Sequence, residues 1–168
     1  MTDDAAAFHR NRGQAAEASA AGHPGRPPGV FVLHPQLQAD TLLVGRLGLS
    51  RLLLMNDITY PWLILVPERA GISEIADLDA ADRVVLIEEI ALVSGALTAM
   101  LQPDKLNVAA IGNVVAQLHV HLVARFRSDP VWPAPIWGRT PPHPYNSAAA
   151  AELLARLRRT LQPALRDD

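Results

Sequence analysis

The sequence predicts an α+β domain in which an antiparallel sheet packs with one main helix and a C-terminal helix. Short apolar runs of strand length occur before and after one long helical segment, and this order of elements is typical of α+β folds. The length of 168 residues suits one domain of ordinary size. A hydrophobic fraction of 49% supplies enough apolar material for a packed core.

The predicted strands lie on both sides of the helical segment. They occupy residues 41–57 (two strands with a turn near 48–51), 61–68, 105–113 and 114–126. The run at 61–68 is apolar and bounded by two prolines, which predicts a buried central strand. Gly112 and Asn113 mark the turn before the last strand.

Two helices are predicted. The main one lies within residues 72–102, with Ser73, Asp79 or Asp82 as candidate N-caps and Pro103 as the residue that stops it. The second begins after Ser147, a candidate N-cap, and runs towards the C-terminus.

The chain divides into three segments. Residues 1–28 contain few large apolar side chains and predict a poorly ordered or partly helical N-terminal extension. Residues 29–128 carry the predicted domain. Residues 129–168 combine a loop rich in proline and tryptophan with the terminal helix.

Composition excludes several classes of function. The net charge of −2 gives no sign of the basic surface that nucleic acids require. The absence of cysteine excludes disulfides, thiolate catalysis and cysteine-ligated zinc. No stretch approaches the roughly 18 apolar residues of a membrane helix, and the N-terminal residues lack the pattern of a secretory signal. We therefore expect a cytoplasmic protein without a membrane partner.

The segment from Gln117 to Phe126 carries the clearest chemical pattern. Successive side chains of a strand point to opposite faces, so one face is wholly apolar and suited to the core. The other face presents, in order, Gln117, His119, His121, Val123 and Arg125. So much polarity on one face predicts that this face lines a site. Arg125 could meet a phosphate there or lie at an exposed strand end.

Two other interpretations of the histidine pair stay open. Two histidines two residues apart can arise by chance and serve only structure. They can also form a metal pair, since both rings face the same way. A third ligand would then be needed, and the candidates His34 and His143 have no recognisable ligand spacing. We therefore predict no metal and no cofactor.

The segment GNVVAQLHVHLVAR resembles the signature of the histidine-triad (HIT) superfamily, which is His-x-His-x-His after a glycine-rich turn. Upstream, LLLMNDITYPWLILVPER is similar to the family's other landmark, an acidic or amide residue at a strand end followed by a second strand. The resemblance implies an α+β fold, usually homodimeric, that binds nucleotides and hydrolyses or transfers nucleoside monophosphate groups.

The resemblance also implies roles for individual residues. His119 corresponds to the nucleophile and His121 to a histidine that contacts phosphate oxygens, while Gln117 takes the place of the first triad histidine. The expected nucleotide-binding residues are Asn56 and Asp57 at the ribose, Asn113 after the turn glycine, and Asn107 near the phosphates or in a turn. The nucleophile needs a partner for its other ring nitrogen, and we expect a backbone carbonyl.

Two departures from the family pattern bear on the substrate. Pro61-Trp62 stands where Gly-His often opens the buried strand, and Gln117 can donate hydrogen bonds but cannot release a proton near neutral pH. General acid assistance is worth roughly 10²–10⁴-fold and matters least for a polyphosphate leaving group. We therefore expect a dinucleoside polyphosphate rather than a phosphoramidate as substrate. A catalytically weak nucleotide-binding protein and a metal-dependent enzyme are the alternatives.

Trp132 and Trp137 flank a proline-rich stretch that cannot form a regular strand. Aromatic residues in such loops often anchor an interface. We expect this loop to pack across a dimer near the active site, the alternative being packing on its own chain.

Overall fold

The computed structural model describes residues 29–166. The elements follow the chain in this order: α1 (Pro35–Asp40), β1 (Thr41–Arg46), β2 (Ser50–Met55), β3 (Trp62–Pro67), a 3-10 turn (Ile75–Asp77), α2 (Ala80–Leu101), β4 (Lys105–Ala109), β5 (Val120–Arg125) and α3 (Ser147–Leu161). The predicted N-terminal extension, residues 1–28, lies outside the described residues.

The five strands form one sheet in the order β1-β2-β3-β5-β4, and every neighbouring pair is antiparallel. Both helices α2 and α3 pack against one face of this sheet, where Leu52, Leu65 and Leu122 belong to the main core. The opposite face carries a second cluster that includes Leu53, Ile64 and Leu37 of α1. The predicted α+β fold with an antiparallel sheet is confirmed.

The predicted central strand is confirmed, because β3 lies third of five in the sheet and its last five residues are buried. The strand predicted at 114–126 is too long. It begins only at Val120, and the residues before it form a loop in which Leu118 N–H donates to Ile72 O over 2.9 Å. Since this loop bonds outside the sheet ladder, its alternating side chains do not continue the strand.

The helix boundaries agree with their capping chemistry. Asp79 caps α2 by accepting from Asp82 N–H over 2.8 Å, and Gln102 ends the helix in the left-handed region, with φ of 49°, directly before Pro103. Ser73 caps no α-helix. The cap of α3 is Asn146, whose side chain accepts from Ala149 N–H, so the expected cap at Ser147 is wrong by one residue.

The helix α2 contradicts the expectation that no stretch of the chain is apolar enough for a membrane helix. It contains an 18-residue window as apolar as a membrane-spanning helix, and only 28% of that window is buried. Charged residues interrupt the apolar sequence of α2, but the mean hydropathy of the window remains high. Buried Glu89 is one of them, and its carboxylate accepts from Leu49 N–H over 2.5 Å, which ties α2 to the turn between β1 and β2.

The terminal segment shares the core of the domain. Leu157 and Leu161 of α3 are buried in the main cluster, and Ile136 packs with Tyr60 and Val123. Residues 129–166 therefore pack on the predicted domain through two hydrophobic clusters.

Candidate functional site

A cavity of about 470 Å³ opens on the sheet face that lies away from α2 and α3. This volume lies within the range of small-molecule sites. Its lining combines an apolar wall with a few polar groups. The residues are Gln36, Leu37, Asp40, Thr41, Met55, Trp62, Ile64, Ile111, Gly112, Asn113, Val114, Val115, His119, His121, Trp137 and Gly138.

His119 lies immediately before β5 and is 7% exposed. Its Nδ1 lies 2.7 Å from the backbone oxygen of Gln117. A carbonyl oxygen can only accept, so Nδ1 carries the proton and Nε2 of the neutral ring keeps its lone pair. The expected backbone carbonyl partner is confirmed. The ring is held in the tautomer that a nucleophile at Nε2 requires.

His121 has the opposite tautomer. It lies on β5 opposite Ile64 of β3, and the indole N–H of Trp62 donates to its Nδ1 over 3.0 Å. An indole nitrogen only donates, so Nδ1 of His121 is unprotonated and the neutral ring carries its proton on Nε2. Burial, with a smaller effect from His119, lowers the pKa of His121 from 6.5 to about 3. At neutral pH this side chain is an uncharged hydrogen-bond donor.

Aromatic rings enclose the two histidines. The imidazole rings of His119 and His121 meet edge to face with centroids 4.7 Å apart. Trp62 lies 5.3 Å and Trp137 5.8 Å from the His121 ring. Trp137 therefore packs beside the site on its own chain, while Trp132 lies elsewhere, over the guanidinium of Arg125. Packing of this loop across a dimer stays a prediction.

The side chain of Gln117 is engaged outside the cavity. Its Oε1 accepts from His34 N–H and its Nε2 donates to Val32 O, each over 2.9 Å. The amide therefore anchors the segment that leads into α1. A catalytic contact from Gln117 to phosphate stays a prediction, and it would require these two bonds to break.

The expected nucleotide-binding residues separate into two groups. Asn113 lines the cavity beside the histidines, and its role in binding nucleotide stays a prediction. Asn56 accepts from Tyr145 N–H over 3.0 Å, and buried Asp57 accepts from the backbone of Thr59 and His143. Neither Asn56 nor Asp57 belongs to the cavity lining in the described part of the chain. Their assignment to ribose binding stays a prediction.

Asn107 and Arg125 contact each other. The guanidinium of Arg125 donates to Asn107 Oδ1 over 2.7 Å, to Asp129 Oδ2 over 2.6 Å and to Ala134 O over 3.1 Å. Arg125 is only 1% exposed, so neither expectation for it, a phosphate contact or an exposed strand end, is met. Asn107 serves this buried cluster, and its place near a phosphate stays a prediction.

Sequence reasoning assigned no role in the site to Asp40 or Trp62, and both line the cavity. Asp40 ends α1, whose start is marked by the sequence His-Pro, with the His34 side chain accepting from Gln36 N–H. Proline at the first helical position could have signalled that helix. Trp62 was noted as a departure from the family pattern, but its hydrogen bond to a residue 59 positions later has no signature in sequence.

The metal interpretation of the histidine pair requires a third ligand. Among residues 29–166, no group of three or more His, Asp or Glu side chains is placed to hold a metal ion. The two distant candidates have other partners, since His34 Nδ1 caps α1 and His143 Nδ1 lies 3.4 Å from Thr59 Oγ1.

Comparison with known proteins matches residues 36–128 to the HIT domain. Two similar solved structures are histidine-triad proteins from Bradyrhizobium japonicum and Marinobacter aquaeolei VT8, each 43% identical to this chain. They superpose with TM-scores of 0.77 and 0.79, covering 79% and 81% of this chain and 98% and 99% of their own. A third, from Sinorhizobium meliloti 1021, is 41% identical with a TM-score of 0.76, covering 78% of this chain and 97% of its own. Comparison with curated proteins gives no significant match. The family match spans more than half of the chain, and the chain belongs to the histidine-triad family.

Proposed function

We propose that this protein is a nucleotide hydrolase or nucleotidyl transferase in which His119 Nε2 attacks an α-phosphorus. Histidine-triad proteins typically bind nucleotides and are often nucleotide hydrolases or transferases. The observation that carries the proposal is the bond from His119 Nδ1–H to Gln117 O, in a ring that lines the cavity. This bond leaves the nucleophilic nitrogen free.

The reaction has two steps. The lone pair of Nε2 forms a bond to the α-phosphorus, and the bond from phosphorus to the bridging anhydride oxygen breaks, so the polyphosphate leaves with the electron pair as an anion. Water then attacks the nucleotidyl-histidine, the N–P bond breaks, and the released proton passes to solvent. The Nδ1–H bond to Gln117 O stabilises the positive charge that develops on the ring during attack.

Charge on the non-bridging oxygens requires donors that are already in place. His121 supplies Nε2–H, because its Nδ1 accepts from Trp62. Asn113 and the backbone of the loop around it line the same cavity and supply further donors. These donors are all neutral. They therefore donate hydrogen bonds to the phosphate without transferring a proton to Nε2 of His119.

The same arrangement favours a phosphoanhydride substrate. His121 is unprotonated at Nδ1 and neutral, and the Gln117 amide cannot release a proton, so neither supplies one to a leaving group. A phosphoanhydride leaves as an anion without that help, whereas an amine does not. We therefore propose dinucleoside polyphosphates as the substrate class, and phosphoramidate turnover faster than anhydride turnover would contradict this choice.

The test compares turnover of a dinucleoside polyphosphate, in the presence of a chelator, by the wild type and the His119→Ala variant. We expect turnover by the wild type and a loss of at least about 10³-fold in the variant. His143→Ala is the matched control, because its imidazole lies outside the cavity lining and contacts Thr59. Turnover that persists in His119→Ala, or that disappears in chelator alone, would contradict the proposal.

A catalytically weak nucleotide-binding protein is the second candidate. The observation that favours it is the Gln117 amide, which anchors residues Val32 and His34 instead of reaching the cavity. Saturable nucleotide binding without turnover, equal in the wild type and His119→Ala, would support this candidate over the enzyme. The cytoplasmic location expected from the sequence stays a prediction.

A homodimer through α2 completes the proposal. The outer side of this helix exposes Val84 by 62% and Ile87 by 58%, and a Cβ added at Gly95 would meet nothing within 4 Å. A helix that is apolar on all sides normally buries its outer face against another protein surface. Because histidine-triad proteins commonly form dimers, we propose a second copy of this chain as the occupant.

The dimer is tested by sedimentation of the wild type and Ile87→Glu. We expect a dimer for the wild type and a monomer for the variant, because a charge on this face would be desolvated in the interface. Ile58→Glu is the control, since Ile58 is exposed to a similar degree, 51%, on a different part of the surface. A monomeric wild type would contradict the dimer, and vesicle binding by that monomer would assign the face to a membrane.

A further inference from the structure

We infer that Trp62 is a positioning residue whose indole N–H holds His121 as the tautomer that carries its proton on Nε2. The site then presents one imidazole as a nucleophile and its neighbour as a hydrogen-bond donor. The tautomer of His121 follows from the hydrogen bond geometry alone. Its consequence for catalysis rests on the proposed function.

The sheet register places the two rings within reach. Trp62 pairs with Val123, and Ile64 pairs with His121, so Trp62 and His121 are diagonal neighbours on one face of β3 and β5. Such diagonal neighbours lie about 7–8 Å apart at Cα, close enough for aromatic side chains to touch. The indole Nε1 donates to His121 Nδ1 over 3.0 Å, and the rings meet at 63°.

A tryptophan at position 62 favours a single tautomer of His121. An indole nitrogen can only donate, so it stabilises His121 with an unprotonated Nδ1 and no other neutral tautomer. The charged imidazolium is opposed as well, because it carries N–H groups at both nitrogens and would point one of them at the indole N–H. A histidine at position 62 could donate or accept, and it would leave the tautomer of His121 open.

The surroundings of His121 leave few other causes for this tautomer. The titratable neighbour that contacts its ring is His119, whose Nδ1 is committed to Gln117 O, and Asp40 lines the same cavity from α1. Trp137 packs on the ring at 5.8 Å, but its Nε1 is buried without a hydrogen-bond partner. Of the two indoles beside His121, only Trp62 therefore directs a proton at it.

Trp137 provides a matched control. Trp62→Phe and Trp137→Phe each remove one indole N–H next to His121 and keep an aromatic ring. The first change removes a hydrogen bond to His121, and the second removes an N–H that bonds to nothing among the described residues. A role in packing alone predicts similar consequences for both variants, whereas positioning through the hydrogen bond predicts a difference.

The experiment is long-range ¹H–¹⁵N NMR of protein labelled at histidine, which distinguishes a protonated from an unprotonated ring nitrogen. We expect wild-type His121 to be protonated at Nε2 alone down to pH 5, and His119 at Nδ1 when neutral. In Trp62→Phe we expect a mixture of His121 tautomers, and the pKa of His121 to shift upwards by at least one unit. In Trp137→Phe the tautomer stays unchanged.

Two results would overturn the inference. One is a wild-type His121 protonated at Nδ1, which can be seen even if Trp62→Phe fails to fold. The other is a folded Trp62→Phe with the wild-type tautomer and titration of His121. If the protein also turns over nucleotide, kcat should fall about 10-fold in Trp62→Phe with little change in KM. Because NMR needs no turnover, failure of the proposed function and failure of this inference are distinguishable.

Discussion

The two ends of β5 differ in what their polar side chains contact. At one end, His119 and His121 each bond through a single ring nitrogen and keep the other free beside a cavity. At the other end, the guanidinium of Arg125 donates to Asp129, Asn107 and Ala134 and is 1% exposed. The first end keeps ring nitrogens available beside a cavity, and the second is a closed cluster.

This difference shows that a row of polar residues on one strand face is not in itself a site. The alternation along β5 brings Arg125 to the same side as His121, yet the loop after β5 supplies Asp129 and Ala134 to satisfy it. The histidines differ from Arg125 because each keeps one ring nitrogen without a hydrogen-bond partner among the described residues.

The largest effect on stability is expected from Arg125→Met. This change leaves the Asp129 carboxylate, 6% exposed, without its cation, and breaking a buried ion pair costs about 3–5 kcal/mol. Chemical denaturation measures the free energy of unfolding. Arg127→Met is the control, because its pair with Asp104 is 80% exposed on the arginine side and should contribute about 1 kcal/mol or less. Equal losses of stability in both variants would mean that Arg125 and its partners do not form a closed, stabilising cluster.

A smaller effect is expected from the titration of His121. Its folded pKa of about 3 lies below the ordinary 6.5, so between these values the unfolded chain binds more protons and stability falls as the pH falls. At about 1.4 kcal/mol per pH unit, the wild type should lose about 2 kcal/mol between pH 6.5 and 5 through this group.

His121→Asn is the reference for that measurement, since its side-chain oxygen can still accept from Trp62 while nothing titrates. The difference in unfolding free energy between the wild type and this variant should shrink from pH 6.5 to 5. Stability curves that run parallel across this range would show that His121 does not remain neutral in the folded protein.

A similarly modest loss of stability, with only a small loss of activity, is expected from Gln117→Ala. It removes two hydrogen bonds to the backbone of Val32 and His34, worth about 1 kcal/mol each. The partner of His119 is the backbone oxygen of residue 117, which the change keeps, so kcat should fall less than about 10-fold. Gln38→Ala, an exposed position on α1, serves as the control. A loss of activity as large as that of His119→Ala would assign the amide a direct catalytic role.

The fold could be predicted from sequence because its signals are local. The proline-bounded apolar run became β3, and the Asp79 cap and Pro103 stop define α2. The start of β5 could not be predicted, because residues 114–119 alternate like a strand but bond outside the sheet. Alternation records which side chains are buried, not which backbone groups are paired.

Part of the cavity lining could be predicted for the same reason. His119 and His121 stand close together in the sequence, so their shared location was visible. Asn56 and Asp57 bond to backbone groups more than 80 positions away, and these contacts leave no local pattern. Asp40 is a single acid at the end of a short helix and carries no signature of a cavity.

The central claim is that His119 Nε2 forms a covalent bond to phosphorus, and trapping that adduct tests it most directly. The protein is mixed with a dinucleoside polyphosphate in chelator, quenched in alkaline denaturant, which preserves an N–P bond, and digested for mass spectrometry. We predict a nucleoside monophosphate on the peptide that contains His119 in the wild type, and no adduct in His119→Ala. Turnover without an adduct, or an adduct on another residue, would contradict this account.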